Sequence, residues 1–391
     1  MMWWKHISIQ EMYTRPTFFY SREMIRTTTA TLRQAMGKNW SIYYAMKANP
    51  NQTLLQLLRA EGLVDGIDVA SIGEYQNARR AGFHPSQLSV TGPMKSRDFL
   101  RVLTHDKVGC ICVESMEELQ ELHSLGGLPA GEVLLRINPK QEARAFQLKI
   151  SGRAMPFGID EETIPEVVGW MQREKISIDG IHIHAGSQCF SARGFAYHCG
   201  EVLRIATDIM ALGASIDIVN IGGGLGIGNW VPLQKSDVFS VGRQLEHVRR
   251  KSGYHGKLRM EPGRYIVAEA GVYANRVHRI KHSRGTYFVI LEGGTNHLGM
   301  LKHPGYQTKR VWIENLHSGS KNGQSTAAKV QLVGPLCTPL DMLGGAMTMP
   351  VPSVDDVLLF VNVGAYGLCM SPAGFLQHPL PNELWVDHHL L

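Results

Sequence analysis

Between residues 21 and 265 the chain repeats one pattern eight times: a short apolar run, a polar or glycine break, then a stretch with helical spacing. The runs fall at 41–50, 66–70, 88–91, 109–113, 133–137, 181–184, 216–221 and 258–261. Two of the intervening helices open on capping signals, Ser71 followed by Glu74 and Ser115 followed by Glu118. There the serine oxygen accepts an amide left unbonded at the helix start, and the glutamate reaches back to another. Apolar strands that alternate with helices pair in parallel, and eight such units in about 250 residues specify a (β/α)8 barrel.

After Val267 the helical spacing stops. Strand-like runs at 271–277, 286–291, 330–333, 357–363 and 384–386 predict a C-terminal β domain, which the early run at 17–20 is expected to join. The expected domains are 21–265 for the barrel, and 1–20 with 266–391 for a discontinuous β domain. The stretch 318–326, SGSKNGQST, has the composition of a surface loop.

Charge and apolar content exclude several classes. No run nears the roughly 18 apolar residues of a membrane span. The N-terminus lacks an apolar signal core, so a cytoplasmic protein is expected. Six cysteines without CxxC spacing read as free thiols. A net charge of +6 spread over the whole chain favours an acidic small-molecule substrate over nucleic acid.

The chemistry-bearing residues gather where strands end, and barrel enzymes build their sites there. Lys47 stands at the end of the first run, His184-Ala185-Gly186-Ser187 of the sixth, Gly222-Gly223-Gly224-Leu225-Gly226 of the seventh, and Glu261-Pro262-Gly263-Arg264 of the eighth. A single strand-end lysine ordinarily snorkels to solvent, and a single glycine turn ordinarily only reverses the chain. Glycine-rich ends on adjacent strands, however, let backbone amides approach phosphate oxygens with no Cβ between them. His182 reads as a core histidine, and no metal site is expected.

In chain order, AMKAN, HAGS, NIGGGLG, EPGR, GPLCTPLD and GAYG resemble the fold-type III pyridoxal phosphate decarboxylases, the diaminopimelate, ornithine and arginine decarboxylase group. The resemblance implies an alanine racemase-like barrel with a β-sandwich domain, and a homodimer with shared active sites. It implies that Lys47 bonds covalently to pyridoxal 5'-phosphate, that His184 stacks on its ring, and that Ser187, Gly222, Gly223, Gly224, Gly263, Arg264 and Tyr366 surround its phosphate. Asp68 and Arg136 match further active-site positions. Glu261 suits the pyridine nitrogen, since a carboxylate there keeps the ring an electron sink; racemases of this fold place arginine at that point. Cys337 is implied to reach the partner subunit's cofactor and protonate Cα, and Asp341 to contact substrate.

The chain departs from the diaminopimelate pattern in three places: NHLGMLKHPGY, CTPLD in place of a CESGD-like stretch, and Pro156-Phe157-Gly158 where Lys-Phe-Gly is common. CTPLD and the tail SPAGFLQHPLPNELW are more similar to decarboxylases of specialised metabolism. Those act on citryl-diaminopropionate siderophore intermediates or on carrier-bound glutamyl groups. Diaminopimelate decarboxylation, racemisation and an inactive regulatory homologue are the alternatives.

Overall fold

The computed structural model describes residues 2–6, 8–126, 131–228, 234–299, 313–315 and 327–387. It forms two compact units, one of Thr27–Gly226 with Lys235–Tyr265, the other of Met1–Arg26, Ile227–Gln234 and Ile266–Leu391.

The first unit is a closed barrel. Its strands are Trp40–Ala45, Gly66–Val69, Leu88–Val90, Cys110–Val113, Glu132–Asn138, Gly180–His182, Ile218–Asn220 and Lys257–Met260. Each pairs in parallel with its neighbour, and the eighth pairs with the first. At the end where strands begin, Arg259 fills the interior. Its guanidinium lies 4.2 Å over the Tyr43 ring and 2.6 Å from Glu132. The other end is left for chemistry.

Among the described residues eight helices wrap the strands, including Arg97–His105 and Val238–Ser252, which the sequence reading passed over. Val238–Ser252 is rich in charge, and its apolar stripe is only Val238, Val241 and Leu245. Close approach positions it: a Cβ on Gly242 would lie 2.0 Å from Ala35 O. Both expected capping serines accept as predicted, Ser71 from Glu74 N and Ser115 from Glu118 N. The glutamates reach one residue further back than in a capping box, to Ala70 N and Glu114 N. The hydrogen-bonded strands also stop short of the expected ends, so Lys47 sits in the 3-10 turn Met46–Ala48 rather than on its strand. A short antiparallel pair, Phe146–Lys149 with Gly186–Cys189, is an addition that carries Ser187.

In the second unit, Thr17–Ser21 pairs antiparallel with Gly271–Ser283 and parallel with Asn382–Val386, so the first strand does enter the β sheet. Gly271–Ser283 continues to Thr286–Leu291 and to Val357–Phe360. Ala328–Val333, Met347–Met349 and Ile313–Asn315 complete an eight-stranded sheet among the described residues. Alternation along the chain assigns residues 227–234 to the barrel, but of these Ile227, Gly228 and Gln234 group with the β unit, where Asn362 Nδ2 donates to Gly228 O at 2.9 Å. The expected loop at 318–326, and residues 300–306 of the NHLGMLKHPGY stretch, lie outside the described residues. Among the described residues no helix is long and apolar enough to cross a membrane.

Candidate active site

The seventh and eighth strands set the deepest part of the barrel mouth. Asn220, the last residue of its strand and fully buried, bonds in two directions. Its Nδ2 donates to Glu261 Oε1 at 2.6 Å, and its Oδ1 accepts Gly222 N at 3.0 Å. His182 Nε2 lies 3.3 Å from Glu261 Oε2. Burial pushes the Glu261 carboxyl up, but His182, Asn220 and the charge of Lys47 overcome it and hold the group well below the usual carboxylate range. Glu261 is therefore a buried carboxyl whose neighbours favour its charged form.

His184 stands two residues beyond His182 on the same run. Its Nδ1 accepts Gly223 N at 3.1 Å, which places the ring proton on Nε2. Burial, then Lys47, Arg136 and His182, depress its basicity strongly, so the ring is neutral. The glycines make this packing possible. Gly222 has φ +67°, and a Cβ there would meet His184 Nδ1 at 2.5 Å. Gly224 has φ +114°, and its Cβ would lie 2.6 Å from Gly186 O. The expected cradle is thus narrower than the sequence implies. The Gly222 and Gly223 amides are engaged by Asn220 and His184, and Gly224 N has no protein partner among the described residues.

Lys47 is exposed on its turn, and its charge acts on Asp68, Glu74, His184 and Glu261 alike. Asp68 is buried and accepts Thr91 Oγ1 at 2.9 Å; burial and the negative Glu261 raise its carboxyl well above the ordinary range. Arg136 is buried 2.6 Å from Glu114, with its guanidinium 4.8 Å over the Phe157 ring. Glu114 also accepts Gly92 N and Gly158 N, so one carboxylate ties three strand-end segments to Arg136. Ser187 lies on the added antiparallel pair opposite Leu148. Gly263 packs close to Ala45 and Ala48, and Arg264 is buried at the start of the turn Arg264–Val267.

The remaining predicted residues belong to the other unit. Cys337 is exposed at the tip of the segment Gly334–Asp341. Asp341 is its buried base: Oδ1 accepts Thr295 N at 2.7 Å and Thr295 Oγ1 at 2.9 Å, and Oδ2 accepts Leu336 N at 2.8 Å. A carboxylate so engaged builds the loop, and this departs from the substrate contact implied by resemblance. Tyr366 adopts φ +57°, unusual for a residue with a side chain. Sequence reading missed Asn220, Glu114, Thr91 and Glu74. Asn220 was accessible to it, because an asparagine two residues before a glycine run, at the end of an apolar strand, is out of keeping with its neighbours.

A phosphorylated pyridine fits the barrel residues. Glu261 supplies a fixed anion for a protonated ring nitrogen, His184 a neutral flat ring, and Gly224 an amide that no Cβ shields. Comparisons with known proteins agree. Residues 22–268 match the family description "Pyridoxal-dependent decarboxylase, pyridoxal binding domain". The L-glutamyl-[BtrI acyl-carrier protein] decarboxylase of Niallia circulans is 30% identical, over 96% of this chain and 90% of that one. The 2-[(L-alanin-3-ylcarbamoyl)methyl]-2-hydroxybutanedioate decarboxylase of Staphylococcus aureus is also 30% identical, over 91% and 90%. Helicobacter pylori diaminopimelate decarboxylase, solved with L-lysine, superposes with a TM-score of 0.84 at 25% identity, covering 97% of this chain and 93% of that one. The chain belongs to the pyridoxal-dependent decarboxylases, an amino-acid carboxy-lyase family whose cofactor is pyridoxal phosphate.

Proposed function

We propose that this decarboxylase acts on an amino-acid group forming one end of a larger, acidic conjugate, of the citryl-diaminopropionate or carrier-bound glutamyl kind. The observation that carries this reading is the loop after Cys337. Free diaminopimelate ends in a second ammonium that needs an acidic partner, yet Thr338 follows Cys337, and Asp341 gives its carboxylate to Thr295 and Leu336. Two relatives whose names specify conjugated substrates, together with a net charge of +6, support the same direction.

Pyridoxal phosphate, when bound, takes up the electron pair left at Cα as carbon dioxide departs. The residues around it have separable tasks. Lys47 would be the covalent anchor that holds the cofactor in the barrel mouth. Glu261 keeps a proton on the ring nitrogen by remaining ionised, with Asn220 and His182 holding it in place. His184 packs against the ring as a neutral imidazole. Gly224, Gly263, Arg264, Ser187 and Tyr366 bind the phosphate. Asp68 and Arg136 shape the pocket rim. Cys337 of the partner subunit donates the proton that Cα receives, in a cytoplasmic homodimer.

Carbon dioxide release from citryl-diaminopropionate, a carrier-bound glutamyl group, diaminopimelate, lysine, ornithine and arginine tests the substrate reading. A kcat/KM at least about tenfold higher on a conjugate than on any free amino acid is the expected result. Fastest turnover of free diaminopimelate would overturn it.

A further inference from the structure

Outside the barrel mouth, a cavity of about 270 Å³ opens between the helix Ala192–Ala211, the turn after Asn138 and the outer face of the sixth strand end. Ile183 and Ala185 line it, alternating with His182 and His184, which face the opposite way into the barrel. The cavity and the cofactor pocket therefore share one backbone segment as a common wall.

Its lining has the features of a binding site. Ser151, 4% exposed, lines the cavity, and its buried hydroxyl has no hydrogen-bond partner among the described residues. A buried hydroxyl without a partner is costly, so a ligand that bonds to it gains more than surface contact provides. Both signs of charge stand around it. Lys140 is exposed and has no ion pair among the described residues. Glu142 and Glu201 each use one oxygen on Lys149 and Arg204, which leaves the other to accept. Val202 and Ile205 add an apolar floor. The volume accommodates on the order of ten non-hydrogen atoms.

We propose that this cavity is an effector site for a small amino-acid zwitterion, whose carboxylate meets Lys140, whose ammonium meets Glu142 or Glu201, and whose side chain or carboxylate bonds to Ser151. Two links join it to the cofactor pocket. Ala185 O accepts Ile150 N at 3.0 Å, one residue from both Ser151 and His184. His198, which lines the cavity, bonds through Nε2 to Ile221 O at 3.0 Å, directly before the glycine run. A ligand that presses on either link moves the backbone under His184 or Gly222.

The test uses holoenzyme reduced with borohydride, so that no substrate can react. L-lysine, L-ornithine, L-glutamate and L-serine are titrated by calorimetry while the circular dichroism of the bound cofactor is followed. The wild type is expected to bind at least one of them, one per chain, with a dichroism change. Val202→Trp, which fills the cavity, is expected to abolish binding. Ser151→Ala, which preserves the packing, weakens it about tenfold. Absence of binding by all four, binding unchanged in both variants, or binding that leaves the dichroism unaltered overturns the proposal. If Val202→Trp does not fold, Ser151→Ala alone decides.

Discussion

Asn220 holds Glu261 and Gly222 at once, through Nδ2 at 2.6 Å to the carboxylate and Oδ1 at 3.0 Å to the amide. One side chain thus fixes both the Glu261 carboxylate and the turn that supports His184. Replacing Asn220 with alanine removes one group that holds the Glu261 carboxyl low against burial. The expected result is a fall in kcat of about 10- to 100-fold, with the acidic limb of the kcat–pH profile displaced to higher pH. An unmoved limb would show that Asn220 does not set the Glu261 charge.

Asp341 is a structural clamp for the loop that presents Cys337. In Asp341→Asn an amide NH2 must face at least one of Thr295 N, Thr295 Oγ1 and Leu336 N. Urea unfolding is expected to show a loss of about 1–3 kcal/mol, with cofactor affinity unchanged. A role in gripping substrate would instead raise KM and leave stability unaltered.

His198 makes the barrel acid-sensitive. Burial lowers its pKa from 6.5 to about 4, against the raising effect of Ile221 and Ile183 carbonyls. The unfolded chain therefore binds the proton more readily between these values. Stability contributed by the neutral ring is complete above pH 6.5 and declines as pH falls toward 4, by up to about 3 kcal/mol. Chemical denaturation of wild type and His198→Gln at pH 7 and pH 4 measures this directly. The variant is expected to lose that much less, and an equal loss in both would refute it.

Much of the fold was legible because its signals are local. Eight apolar runs, two capping serines and the early strand Thr17–Ser21 all depend on near neighbours or on simple alternation. Val238–Ser252 was not legible, because its placement depends on Gly242 meeting Ala35 O across 207 positions of sequence. The site divides in the same way. Lys47, Glu261 and the glycine run stand out by type and position, whereas Asn220 and Glu114 act only through what they hold. The clamping contacts of the loop acid Asp341 were not legible for that reason: its burial and its three donors are tertiary facts.

If each site combines Lys47 of one chain with Cys337 of its partner, two inactive variants repair each other. Lys47→Ala and Cys337→Ala, dissociated and re-formed in equal amounts, give half mixed dimers with one intact site each. Activity is expected to return to about a quarter of wild type. Confirmed subunit exchange with no recovery would place Cys337 outside the partner's site.

The central claim, that Lys47 bears the cofactor in the barrel mouth beside Glu261 and His184, is tested most directly by peptide mapping after borohydride reduction of the holoenzyme. One pyridoxyl phosphate mass per chain on the peptide containing Lys47 is the predicted result. The same mass on another lysine, or on none, would contradict it.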